Sequence, residues 1–281
     1  MDKVYALITG DSFKPLIALP LILMILSLVL ASILGLSESI DLKGGTLITL
    51  ETKSPMSQSE ITNVCKEATG VNDIQTSLTG NQATVTLDGS VDAETFTQKT
   101  SDRFSILSFK SVGALLTDDA MTQIIYSLIF AFVFMSVTVL FVFRDIVPSL
   151  AVILSAICNL SVALGGMSLF GIPLSLASVG ALLMLIGYGV DTDILLTTRL
   201  LRRNKGSKAE RIKEAFNTGI TLSIAAILSM VVLYIVVKIL IPSAQVLEDI
   251  SAVMIIGLCS DILATWLMNL GILKWHIRES K

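Results

Sequence analysis

Six apolar runs, each long enough to cross a lipid bilayer, constrain this chain more than any other feature. They lie at about 15–36, 121–143, 146–169, 172–198, 219–241 and 250–273. A helix needs ~20 apolar residues to cross a ~30 Å hydrocarbon layer. In lipid each backbone polar group must be satisfied inside its own segment, so runs of this kind are helices. The expectation is a polytopic α-helical membrane protein with six transmembrane helices. Only 15% of residues are charged, against ~25% in soluble domains. The net charge of -3 gives no basic footprint for nucleic acid. The first run, Leu16 to Leu36, exceeds the ~7–15 residues of a signal-peptide core and is read as a retained span.

Short links fix neighbours. The turn Arg144-Asp145 joins the second and third spans, and Phe170-Gly-Ile-Pro173 joins the third and fourth. With the amino terminus inside, the inner face collects 13 of the 20 lysines and arginines, so both termini are expected in the cytoplasm. The organisation reads as an amino-terminal segment and first helix over 1–36, an outer domain over 37–120, and a five-helix bundle over 121–273. Within the bundle a cytoplasmic loop is expected over 199–218, and a cytoplasmic tail follows at 274–281.

The outer segment has its own pattern. Thr46 to Glu51 alternates like a strand, and Ser57-Gln-Ser-Glu60 is a capping box opening a helix to Thr69. Asp73 to Leu78 and Ala83 to Leu87 flank the turn Thr79-Gly-Asn81 as a hairpin. A helix over Asp92 to Ser101 and a strand over Phe104 to Val112 complete β-α-β-β-α-β, the ferredoxin-like α+β plan.

The chemistry lies inside the spans. Asp191 and Asp193 fall about 12 Å of helix before Arg199, within the hydrocarbon. A charge there costs at least ~2.5–3.5 kcal/mol on insertion scales, so such acids are functional candidates. Two residues apart, they point roughly 200° from one another. Gly187 and Gly189 thin the helix just before them, for close approach or bending. In the sixth span Asp261 and Thr265 share a face, with Asn269 one turn on and rotated somewhat. That ridge reads equally well as helix-to-helix glue or as function, and Asn159 in the third span reads as glue. Gly113, with Asp118-Asp119, forms either a hinge to the outer domain or an ordinary linker.

A single histidine, His276, leaves no His-rich metal site and argues against a Ser/His/Asp triad, and no P-loop is present. The three cysteines form no CxxC pair. The chain is therefore read as a non-enzyme without cofactor or metal. A G-x-G-D protease motif is missed by one residue in Gly187-Tyr-Gly189-Val-Asp191.

Three signals together resemble the SecF family of the SecD/SecF protein-export proteins, in its archaeal form. They are Asp41-Leu42-Lys43-Gly44-Gly45 after the first span, Leu185-Ile-Gly-Tyr-Gly-Val-Asp-Thr-Asp-Ile-Leu-Leu-Thr-Thr-Arg199, and Asp261 with Thr265, Trp266 and Asn269. The resemblance covers nearly the whole chain and implies membership of the resistance-nodulation-division superfamily. It implies a SecD partner, a SecY-type translocon, translocating polypeptides as substrates, a lipid environment, and a proton relay through Asp191, Asp193 and Asp261 with Arg199 in support. Three departures stand out. Asp191-Thr192-Asp193 replaces a bacterial N-D-T, Asn159 stands where an aspartate is expected, and Ser111-Val-Gly-Ala-Leu-Leu116 lacks the proline and second glycine of the family hinge. The alternative is an exporter of lipid or small hydrophobic molecules acting as a homo-oligomer.

Overall fold

A computed structural model describes residues 13–72, 74–112, 117–201, 207–241 and 244–279. Its helical part comprises α1 (Lys14–Leu34), α5 (Thr117–Phe143), α6 (Ile146–Phe170), α7 (Leu176–Leu201), α8 (Lys208–Leu240) and α9 (Gln245–Leu263). A π-helical turn (Ala264–Asn269) carries α9 into α10 (Leu270–Glu279). Six helical stretches are long and apolar enough to cross a membrane, the last running unbroken from Gln245 to Arg278. Half or more of the most apolar stretch is buried in α6, α7 and the final span, but only 11% in α1, α5 and α8. The first group forms the bundle interior, and the second presents its apolar side chains outward.

One expectation about the segment between the fourth and fifth spans is corrected. The segment 199–218 is mostly helix, because α7 runs to Leu201 and α8 begins at Lys208. Ser207 and Glu210 close a capping box there, so the charged residues 208–214 are the first turns of the fifth helix. A hydropathy window sees only its apolar part. Beyond the last span, helix continues to Glu279, and His276 Nε2 lies 3.3 Å from Asp145 Oδ2 at the turn between α5 and α6.

The domain between the first and second spans, expected on the outer side, carries α3 (Gln58–Thr69) and α4 (Ala93–Thr100) against strands β1 (Gly45–Thr52), β2 (Ile74–Thr79), β3 (Gln82–Leu87) and β4 (Phe104–Val112). The strand order is β2-β3-β1-β4 and every pairing is antiparallel, which is the ferredoxin-like arrangement. Alternation puts Ile48, Leu50, Ala83, Val85 and Leu87 on one face, where Ile61, Cys65 and Phe96 of the helices cover them. The Ser57–Glu60 capping box forms as read, and Asp92 caps α4 by accepting from Thr95 N. The β2–β3 turn is tighter than expected. Thr79 pairs with Gln82, and Gly80 takes φ +63° at the first central position, where a two-residue hairpin favours glycine.

The segment Asp41 to Gly45 joins domain to bundle. Residues Ile40–Lys43 form a short helix, α2, capped by Ser39. Leu42 is buried against Ile124 of α5 and Val179 of α7, while Asp41 pairs with Lys110 of β4 at 2.6 Å. Lys43 lies 3.6 Å from Asp88. Gly44 then turns at φ +75° and Gly45 at φ +131°. A Cβ on Gly45 would sit 2.6 Å from the Leu87 carbonyl oxygen, so any side chain there would force β3 away from β1. A second tie joins the end of α1 to the α6–α7 link. Ser39 N donates to Leu174 O, and Leu174 N to Ser37 O.

Candidate functional site

Where α6, α7 and the sixth span meet, the bundle interior turns polar. Asn159 of α6, Asp193 of α7, and Asp261, Thr265 and Asn269 of the sixth span are all buried to 1% exposure or less. Asp261 is held by three donors. Asn159 Nδ2 donates to Oδ1 at 2.7 Å, Thr192 Oγ1 to Oδ2 at 2.9 Å and Thr265 Oγ1 to Oδ1 at 3.5 Å. Ser260 Oγ in turn donates to Asn159 Oδ1 at 3.3 Å, which fixes the amide orientation. Asp193 receives one hydrogen bond, from Asn269 Nδ2 at 2.7 Å.

Two local devices build this geometry. In a regular helix Asn269 would lie eight residues from Asp261, about 80° off its face at ~100° per residue. The π turn absorbs one residue, so the offset becomes that of seven, about 20° on the other side. Asn269 thereby faces Asp193. The second device is Gly189, where a Cβ would meet Asn159 Nδ2 at 2.8 Å and Asp261 Oδ1 at 2.9 Å. The helices approach this closely only because that position lacks a side chain.

Asp191 points the other way and is exposed, with no hydrogen bond or ion pair among the described residues. With Tyr188, Thr192, Leu222 and Leu258 it lines a cavity of about 330 Å³ whose wall also includes Asp261. No lysine, arginine or histidine among the described residues pairs with any of these three acids, and no three His, Cys, Asp or Glu side chains converge as metal ligands.

The family described as protein export membrane protein SecD/SecF, C-terminal, matches residues 92–279, and the SecD/SecF GG motif matches residues 29–56. The protein-export membrane protein SecF of Methanothermobacter thermautotrophicus is 52% identical over 267 residues, covering 95% of this chain and 93% of its own length. The chain belongs to the SecF family. The SecF of Methanocaldococcus jannaschii is 41% identical over 95% of this chain and 96% of its own length. A crystal structure titled SecDF, a translocon-associated membrane protein, from Thermus thermophilus shares the fold with a TM-score of 0.77 at 18% identity. It matches 95% of this chain, which spans only 38% of that longer chain.

Within the SecF fold the residues anticipated from the sequence separate. Asp193, Asp261, Thr265, Asn269, Asn159 and Gly189 come together. Asp191 does not join the buried group. It sits at the cavity instead, because residues two apart face opposite sides of one helix. Arg199 is also elsewhere, donating to Glu214 O at 3.0 Å and Thr218 Oγ1 at 3.1 Å to tie α7 to α8. Gly187 is not a contact point, since a Cβ there would meet nothing within 4 Å. Asp41, Leu42, Lys43, Gly44 and Gly45 lie at the joint between domain and bundle, and Gly113 lies outside the described residues. The sequence places Thr197 on the same helix face as Asp193, but Thr192, Ser155 and Ser260 were missed. The same helical spacing was a usable signal for Ser155, which stands one turn from Asn159.

Proposed function

We propose that this chain is the SecF subunit of a SecD–SecF pair that assists export of polypeptides across the cytoplasmic membrane through a SecY-type translocon. Its role is mechanical rather than enzymatic, and an ion gradient drives it. Protons exchange at Asp261, by way of the cavity that Asp191 also lines. One observation carries this reading: a buried carboxyl held by three neutral donors, beside a cavity, in the middle of a six-helix SecF bundle. Adding or removing a proton there changes the charge that Asn159, Thr192 and Thr265 are arranged to hold. Such a change can bias two packings of α6, α7 and α9. SecD would cover the α7 strip of Met184, Gly187, Tyr188 and Asp191, which is exposed in the isolated chain. Both termini are assigned to the cytoplasm on the lysine and arginine distribution.

Export of a reporter across energised membrane vesicles tests this. Asp261→Asn, which removes the titrating proton while keeping the shape, is expected to reduce export strongly while SecD still co-purifies. Asp191→Asn should have a smaller effect. Undiminished export with both Asp193 and Asp261 neutralised would refute ion coupling through these acids.

A further inference from the structure

A cavity of about 440 Å³ lies at the end of the bundle nearest the β-sheet domain, between the α6–α7 link, the end of α8 and the start of α9. Its lining changes with depth. Tyr234, Lys238, Glu248 and Asp249 stand at the mouth. Ile255 and Ile256 lie two helical turns further along α9, about 10 Å deeper at ~1.5 Å per residue. Phe170 adds an apolar side wall, and at 68% exposure it leaves a lateral way in from the bilayer. The charges at the mouth do not balance. Lys238 Nζ donates to Glu248 Oε1 and to Tyr234 Oη, each at 3.0 Å. An ammonium has three N–H groups, so one is left over. Asp249 is half-buried and has no hydrogen bond or ion pair among the described residues. An unpaired carboxylate sunk against an apolar wall is costly.

We propose that this cavity binds one membrane lipid whose headgroup joins a primary ammonium to a phosphate, as phosphoethanolamine does. The hydrocarbon chains lie against Phe170, Ile255 and Ile256, the ammonium meets Asp249, and the phosphate accepts the third N–H of Lys238. Placement selects a lipid. The last turn of α8 and the first turns of α9 are where the spans reach headgroup level, and tyrosine and lysine are residues of that level. A polar mouth above an apolar floor matches an amphiphile, and the volume falls in the ~300–1,000 Å³ range of ligand sites. Charge selects the headgroup. A purely anionic one would set a like charge against Asp249. A quaternary ammonium would balance Asp249 but has no N–H to donate to it. A free metal cation would balance it and leave the apolar floor uncovered. A primary ammonium beside a phosphate serves both Asp249 and Lys238 through charge-assisted hydrogen bonds. The site is separate from the buried acids and does not depend on ion coupling. Lys238 and Glu248 also wall the polar cavity beneath Thr49 and Thr84, so the bound headgroup lies beside the contact between domain and bundle.

Native mass spectrometry and thermal unfolding of the purified full-length chain in detergent test it. The added lipids carry phosphoethanolamine, phosphocholine or phosphoglycerol headgroups on identical hydrocarbon chains. The phosphoethanolamine lipid should be retained at one molecule per chain and should raise the unfolding midpoint by several degrees in a saturable manner. The other two should bind roughly tenfold more weakly or worse. Asp249→Asn should bring the phosphoethanolamine lipid down to the level of the phosphocholine one. Ala252→Phe, which places a ring in the cavity from α9, should abolish retention of the lipid. Both variants should keep the parent midpoint when no lipid is added. Equal retention of the three lipids would overturn the site. So would a phosphoethanolamine preference that survives Asp249→Asn, which would mark a bulk effect of that lipid. A photo-crosslinking residue in place of Ile255, illuminated during export in vesicles, should capture lipid. Capture of the exported polypeptide instead would overturn the assignment of the occupant.

Discussion

At the scale of the residue, one added methyl group should separate the two glycines of α7. At Gly189 a Cβ would fall within 3.0 Å of both Asn159 Nδ2 and Asp261 Oδ1. Gly189→Ala is therefore expected to part α7 from α6 and α9 and to cut export as strongly as Asp261→Asn. At Gly187 the methyl meets nothing, and Gly→Ala in a helix gains ~0.5–1 kcal/mol of propensity. Gly187→Ala should raise the unfolding midpoint of the isolated chain slightly, and should weaken recovery of SecD if that strip is the seam. Cys65 offers a second test. Burial in the outer-domain core pushes its thiol up to about 12, against an ordinary value of 9.0, so at a given pH it holds roughly a thousandfold less thiolate than an unfolded chain. Between those values the unfolded state releases a proton that the folded state keeps. The contribution to stability is thus intact below pH 9 and declines as pH rises toward 12, by up to about 1 kcal/mol per pH unit. Alkylation of the intact chain, followed by mass spectrometry, should modify Cys65 only after unfolding, and Cys65→Ala should flatten the alkaline decline.

At the scale of the element, what the sequence made legible depended on how local each signal is. The Ser57–Glu60 capping box, the strand pattern of Thr46 to Glu51, the hairpin arms either side of Gly80 and the long apolar runs are local signals, and each forms close to where it is expected. The start of α8 was obscured because its first turns are charged, and helix continuity there is set by the cap at Ser207 rather than by hydropathy. The π turn was invisible because nothing in Ala264 to Asn269 differs from an ordinary apolar helix. Its stabilisation comes from contacts on other helices, such as that of Asn269 with Asp193. A π turn is in effect one inserted residue, and this yields a paired prediction. Deleting Leu267 should restore a regular helix while keeping Asn269 in phase with Asp261, so expression and unfolding midpoint should stay near the parent values. Deleting Ile255 from the regular part of α9 turns everything beyond it by ~100°. Asp261 would then leave Asn159 and Thr192, and the chain should accumulate poorly. Equal tolerance of both deletions would mean that the phase of the sixth span is not what assembles the cluster.

At the scale of the molecule, the outer domain rests on the bundle through ties of unequal strength. Leu42 is embedded between α5 and α7, and truncating such a buried leucine typically costs ~2–5 kcal/mol. At a separate point Gln245 Nε2 of α9 donates to Thr84 Oγ1 of β3 at 2.9 Å. That contact borders a polar cavity of about 180 Å³ lined by Thr49, Ser77, Gln82, Lys238 and Glu248 as well. A single neutral hydrogen bond is worth only ~0.5–1.5 kcal/mol net, and the cavity beside it holds no apolar packing. The domain is therefore fixed at the Leu42 corner and lightly held at the Gln245 corner, the arrangement of a hinge and a latch. Because Gln245 opens the same span that carries Asp261, a shift of that span reaches the latch directly. In a chain with Cys259→Ser, cysteines at positions 84 and 245 joined by a short reducible bis-maleimide should hold the latch shut. Export should fall while SecD binding and the unfolding midpoint hold or rise, and cleaving the linker should restore export. Full export with the linker in place would show that the two bodies move as one during transport, and coupling would then have to reach the outer side by another part of the pair.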